Sequence, residues 1–144
     1  MDKLHRWGFA EPGPLRDELT ALALAGVKTT TASLALEYEV DGDALPVAGQ
    51  IDVLIDSEER PVAVVETISV RVVRLADVDD RHAIDEGEGY ADAAAFRVSH
   101  ERYWRESGSV ERIRAFFGDP TWDLDDDTLV VCERFRIIER LDGS

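Results

Sequence analysis

The apolar positions of this chain change period several times, and each change marks an element. Leu15, Leu19 and Leu22 fall at helical spacing, which predicts a helix over residues 15–25, with Pro14 pre-setting φ at its first turn and Gly26 as its stop. Lys28-Thr29-Thr30-Thr31 follows at once, and the stretch from Ser33 to Tyr38 fits a helix or extended chain equally. Gly42 and Leu45-Pro46 mark turns. Residues 51–55 alternate as a strand does, Ser57-Glu58-Glu59-Arg60 reads as a hairpin loop, and the Val- and Ile-rich run over 61–75 is the clearest strand signal. An acidic loop with a short helical turn is expected over 77–89, a helix over 91–105 and a last strand over 128–138. Residues 1–14, ending in Glu11-Pro12-Gly13-Pro14, read as a loosely ordered lead-in to a single domain over 15–140. This element set predicts a small α+β domain with a mostly antiparallel sheet, of the kind that closes into a barrel, and flanking helices.

Composition narrows the function classes. The chain has 144 residues, enough for one compact core, with 44% apolar and 33% charged types. Acids number 31 against 16 bases, a formal charge of −15. Binding to long DNA or RNA through phosphates needs clustered Lys and Arg, and an anionic membrane needs the same, so neither partner is expected. No apolar stretch has the length of a signal peptide or a membrane span, so a cytoplasmic protein is expected. Oligomeric state has no signal in the sequence. Cys132 is the single cysteine and lies in the apolar run 129–132, where it reads as a reduced core residue. His5, His82 and His100 lack zinc-ligand spacing and no phosphate-binding glycine loop is present, so no metal and no cofactor are expected.

Four groups of residues could carry chemistry. Three hydroxyls beside the Lys28 ammonium suit anion binding or acyl chemistry, and equally the backbone bonding that threonines after a helix supply. Glu66 shares strand parity with Val62, Val64, Ile68, Val70 and Val72. It therefore either faces the core, where it needs a cation such as Lys28, or is turned outward by a β-bulge. The glycines in His82-Ala83-Ile84-Asp85-Glu86-Gly87-Glu88-Gly89 allow a tight backbone that presents Glu86 or Glu88 to a cleft, unless the segment is a solvated acidic turn. Phe96, His100 and Tyr103 share a helix face, which suits either a structural histidine or a surface for stacking a base.

Taken in order, these segments resemble the ASCH domain family. The carriers are Gly26-Val27-Lys28-Thr29-Thr30-Thr31, Leu45-Pro46-Val47-Ala48-Gly49, Pro61-Val62-Ala63-Val64-Val65-Glu66-Thr67, Ala83-Ile84-Asp85-Glu86-Gly87-Glu88-Gly89, Arg97-Val98-Ser99-His100 and Val131-Cys132-Glu133-Arg134-Phe135. The likeness covers roughly residues 15–139. One departure is Phe96, where the family usually has Trp before the Arg; an indole N–H donor is thereby lost. The resemblance implies a PUA-like β-barrel with a cleft for a small nucleoside or short single-stranded RNA. It also implies, for some relatives, an amidohydrolase removing the acetyl group of N4-acetylcytidine, and for others a ribonuclease. A non-catalytic binding module is the further alternative. Carried over by position, the catalytic set falls on Lys28 as base, Thr31 as nucleophile and Glu86 as acid/base helper, with Thr29, Glu66, Glu88, Arg97, His100 and Tyr103 as substrate-binding candidates. Lys28, Arg71, Arg97 and Arg102 are expected to line a basic mouth. Net charge favours a nucleoside or small acylated amine over a polymer. Lys28 and Thr31 lie three apart, so they can cooperate only if their segment is not one straight strand.

Overall fold

A computed structural model describes residues 4–141. Its elements are β1 (His5–Trp7), α1 (Pro14–Leu24), β2 (Thr30–Leu34), α2 (Ala35–Asp41), β3 (Ile51–Ile55) and β4 (Pro61–Arg74), followed by a 3-10 turn (Leu75–Asp77). Then come α3 (Asp80–Asp85), α4 (Ala93–Glu106), α5 (Ser109–Phe117) and β5 (Leu129–Arg140). The strand order is β1-β3-β4-β5-β2. β1 runs parallel to β3, and the other three pairings are antiparallel. No ladder joins the edge strands β1 and β2 among the described residues, so the fold is α+β with a five-stranded mixed sheet and five helices.

Two cores cover different parts of this sheet. One gathers Phe96 and Trp104 of α4, Val110 and Ile113 of α5, and Leu34, Val130 and Cys132 from the strands. The other packs Leu19 and Ala23 of α1 and Phe9 against Leu54, Val65 and Phe135. Cys132 is a buried free thiol, its pKa pushed up to about 12 by burial, as a reduced core residue should be.

The expected lead-in is a structural part of the domain. Residues 5–7 pair with Asp52, Val53 and Leu54, and Phe9 is buried. The buried Arg16 guanidinium donates to the carbonyls of Phe9 (3.0 Å) and Ala10 (2.8 Å), which ties this segment to α1. Short strands carry little periodic signal, and an arginine acting as a staple is invisible to hydropathy. The ambiguous stretch after Thr31 resolves as strand and then helix, changing at Leu34. Helix α5 is an addition to the expected elements.

Glu66 faces away from the core. Register shifts between Val64 and Val65 and between Thr67 and Ser69 bracket it. Ala63, Val65 and Thr67 take the buried side, while Ile68 and Val72 are exposed. The parity expectation fails because bulges reset the alternation. Glu66 accepts from Arg136 Nε at 2.7 Å, not from Lys28.

Candidate functional site

The site begins where α1 ends. Gly26 takes φ +77°, and the N–H groups of Val27 and Lys28 both donate to the Leu22 carbonyl. This tight exit turns Lys28 inward, just before β2 starts at Thr30. Its Nζ donates to the Thr30 carbonyl (2.9 Å), Glu88 Oε2 (2.9 Å), the Glu86 carbonyl (3.3 Å) and Glu86 Oε1 (3.4 Å). It also lies 5.5 Å from the centre of the Phe9 ring. Lys28 is 2% exposed, and each polar neighbour within reach is an acceptor, the environment of an ammonium.

The opposing carboxylate arrives on a loop that only glycine permits. Gly87 has φ +71°, and a Cβ there would stand 2.5 Å from the Val27 carbonyl oxygen and 2.8 Å from Lys28 Cα. The 86–88 backbone therefore presses directly on residues 27–28. Glu86, 1% exposed, accepts from His82 Nε2 at 2.8 Å, and His100 Nε2 stands 3.3 Å from its other oxygen. His100 Nδ1 donates to the Phe96 carbonyl at 3.0 Å, so both its nitrogens face acceptors. Phe96, itself buried, stacks on the His100 ring at 3.9 Å. Burial pushes the Glu86 pKa up, but the hydrogen bonds from His100 and His82 and the Lys28 charge outweigh it and hold the group below the usual carboxylate range. Burial raises Glu88, with the Glu86 charge adding and Lys28 opposing.

This network forms one wall of a cavity of about 710 Å³, a size suited to a nucleoside. Thr31, Tyr90, His100 and Tyr103 also line it. Thr30 and Thr31 alternate across β2: Thr30 is buried and donates to the His82 carbonyl at 3.0 Å, whereas Thr31 opens to the cavity and its hydroxyl has no hydrogen-bond partner among the described residues. Because Lys28 precedes the strand, its side chain and Thr31 reach one hollow although they lie three apart. The cavity wall carries seven carboxylates, against Lys28 and Arg112 as its Lys and Arg. Arg112 is held by Glu37 and Asp41, and Lys28 by Glu86 and Glu88.

Several expected residues lie elsewhere. Thr29 binds the Asp85 carbonyl through its N–H (2.9 Å) and hydroxyl (3.3 Å), joining β2 to α3 instead of lining the cavity. Arg97 is paired with Glu101 (3.2 Å) and Asp126 (2.6 Å), and Arg71 with Asp79 (3.5 Å). Neither they nor Arg102 line the cavity, so the basic mouth does not form. Glu66, already paired with Arg136, is also absent from the wall. Residues that the sequence reading missed include Tyr90, whose hydroxyl donates to Ser99 at 2.9 Å, and His82. The most informative is Glu133, directly opposite Thr31 in the β2–β5 ladder and lining the same cavity. Its signal was legible: it has strand parity with buried Val131 and Phe135, the test applied to Glu66.

Residues 5–139 match the ASCH domain family. The chain belongs to the ASCH domain family. The match begins upstream of the expected start, in keeping with the place of β1 in the sheet. A crystal structure of a protein from Enterococcus faecalis superimposes with a TM-score of 0.78 at 25% identity, covering 97% of this chain and 80% of that one. An ASCH domain from Lactobacillus crispatus gives 0.76 at 24% identity, covering 94% and 79%. No curated protein matches this ASCH domain. Among its described residues, no helix is long and apolar enough to cross a membrane.

Proposed function

We propose that this ASCH domain is an amidohydrolase acting on an uncharged, acylated cytidine-like amide, with Thr31 as nucleophile. The observation that carries the reading is the convergence of Lys28, Thr31 and Glu86 on one nucleoside-sized cavity, with the Thr31 hydroxyl unpartnered at its wall. Thr31 Oγ attacks the acyl carbon, and the leaving amine departs as the acyl-threonine forms; water then releases the acid. The acceptor-only surroundings of Lys28 favour an ammonium, whose charge favours the oxyanion that develops nearby. Glu86 fixes that ammonium and holds His100 in place. Glu88, Tyr90 and Tyr103 complete the wall that a planar base would meet.

The preponderance of carboxylates supports a neutral nucleoside over a nucleotide or RNA, whose phosphates would be repelled. It counts likewise against a ribonuclease. Incubation with N4-acetylcytidine should yield cytidine and acetate in equal amounts. Thr31→Ala should lose turnover by a factor on the order of 10³ or more while keeping its fold. Wild-type inactivity, or undiminished turnover in Thr31→Ala, would remove the reading. A non-catalytic nucleoside pocket is the second reading, favoured by the filled hydrogen-bonding capacity of Lys28 and Glu86; it predicts saturable binding of the nucleoside without product.

A further inference from the structure

The reaction needs a group that takes the Thr31 proton, and Lys28, facing acceptors only, has no lone pair directed at that hydroxyl. We propose that Glu133 is the general base for Thr31, and the proton donor to the leaving amine. This rests on the proposed amidohydrolase reading and adds to it a residue from a distant strand.

Thr31 and Glu133 are Cα partners across an antiparallel ladder, so their side chains leave the sheet on one face with Cβ atoms about 5 Å apart. Both line the main cavity. The Glu133 side chain has no hydrogen bond or ion pair among the described residues, although it is half-buried. A partly buried carboxyl without a partner is costly to keep for stability alone. It also stands where the main cavity meets a second hollow of about 300 Å³, which gives it room and a path to water.

Its surroundings set its proton affinity. Asp52 on β3 is nearly buried, with His5 of β1 3.3 Å away. Tyr38 of α2 and Asp43 share both hollows with Glu133, and its register neighbour on β4 is the uncharged Val70. Lys28, Glu86 and Glu88 stand on the wall of the main cavity. Burial, reinforced by the Asp52 charge, pushes Glu133 up to about 7. A base poised there is ionised about half the time at neutral pH and can return its proton readily.

The step balances. As Thr31 Oγ bonds to the acyl carbon, its proton passes to Glu133 and the carbonyl π pair moves to oxygen. Collapse of the tetrahedral species breaks the C–N bond, and the amine leaves with the proton held by Glu133. Water then attacks the acyl-threonine ester; Glu133 takes the water proton and gives it to the departing Thr31 Oγ. The sum is amide plus water giving acid plus amine.

The test uses an acyl donor that does not depend on nucleoside recognition. The intact protein is treated with p-nitrophenyl acetate from pH 5 to pH 9, and acetylation of Thr31 is followed by peptide mass spectrometry. In the wild type the rate should rise with pH through a limb near 7. Glu133→Gln should keep its circular dichroism and melting cooperativity, lose the limb, and acetylate Thr31 about 100-fold more slowly or worse. Glu133→Asp should retain the limb at a reduced rate, which a purely structural role would not produce. Equal Thr31 acetylation in Glu133→Gln, or none in the wild type, overturns the assignment. Acetylation as expected with no cleavage of N4-acetylcytidine leaves the base in place and removes only the substrate reading.

Discussion

Two of the carboxyl groups that line the cavity have opposite surroundings. Glu86 is enclosed by His82, His100 and Lys28, and is held ionised by them. Glu133 stands across from an unpartnered hydroxyl, its carboxyl group has no hydrogen bond among the described residues, and it is pushed up to about 7. Both are acids in a hollow, yet one side chain is enclosed by partners and the other has none among the described residues. The contrast teaches that burial alone does not mark a reactive group. Burial with every lone pair satisfied yields a rigid support, whereas burial with lone pairs facing a cavity yields a group whose proton can move.

Removing the satisfied member should have the largest effect. Glu86→Leu leaves Lys28 and His100 without their shared anion and should cost about 3–5 kcal/mol in chemical denaturation. A loss below 1 kcal/mol would show that the network is not a support. The same group sets an acid limit. Its folded-state pKa lies below the ordinary value of 4.5, so its contribution is full above that value and drains as pH falls below it. Melting temperature followed from pH 6 to pH 3 should decline in the wild type more steeply than in a Glu86→Gln variant.

Next in size is Gly87→Ala, which forces a Cβ against the Val27 carbonyl and should cost about 2–3 kcal/mol by the same measurement. It should also dislodge Lys28.

Glu133→Gln should act with the opposite sign. A carboxyl raised from 4.5 to about 7 destabilises the fold as pH rises above 4.5, reaching its full effect above 7. The variant should therefore be more stable than wild type at pH 8, by up to about 3 kcal/mol, and nearly equal at pH 4. Equal melting temperatures at pH 8 would show that Glu133 is not strained by its site. The smallest effect belongs to Thr31→Val, which deletes an unpartnered hydroxyl and should stay within about 0.5 kcal/mol of wild type in thermal melts. Together these variants separate a supporting wall from a reacting one.

The helices α1 and α4 and the strands β3, β4 and β5 were legible because each is long enough, or apolar enough, for its period to be seen. The Lys28 and Glu86–Gly87–Glu88 segments were legible too, since an ammonium after a helix stop and carboxylates around glycines are unusual local patterns. Glu66 misled because a bulge changes parity without leaving a clear mark in composition. Arg97 misled because its partners, Glu101 and Asp126, lie on its own helix and on a distant loop. β1 was missed because three residues carry no usable period, and its place depends on pairing with β3.

By itself the sequence determined the period of each long element, the acidic balance that disfavours phosphate ligands, and the residues that identify the family. Tertiary structure alone decided which carboxylates meet Lys28, that Arg71 and Arg97 are paired away from the cavity, and that Glu133 stands opposite Thr31. Local patterns follow from side-chain spacing along one segment. Contacts between distant segments depend on ladder register and on how closely two loops can approach, here set by the missing Cβ of Gly87.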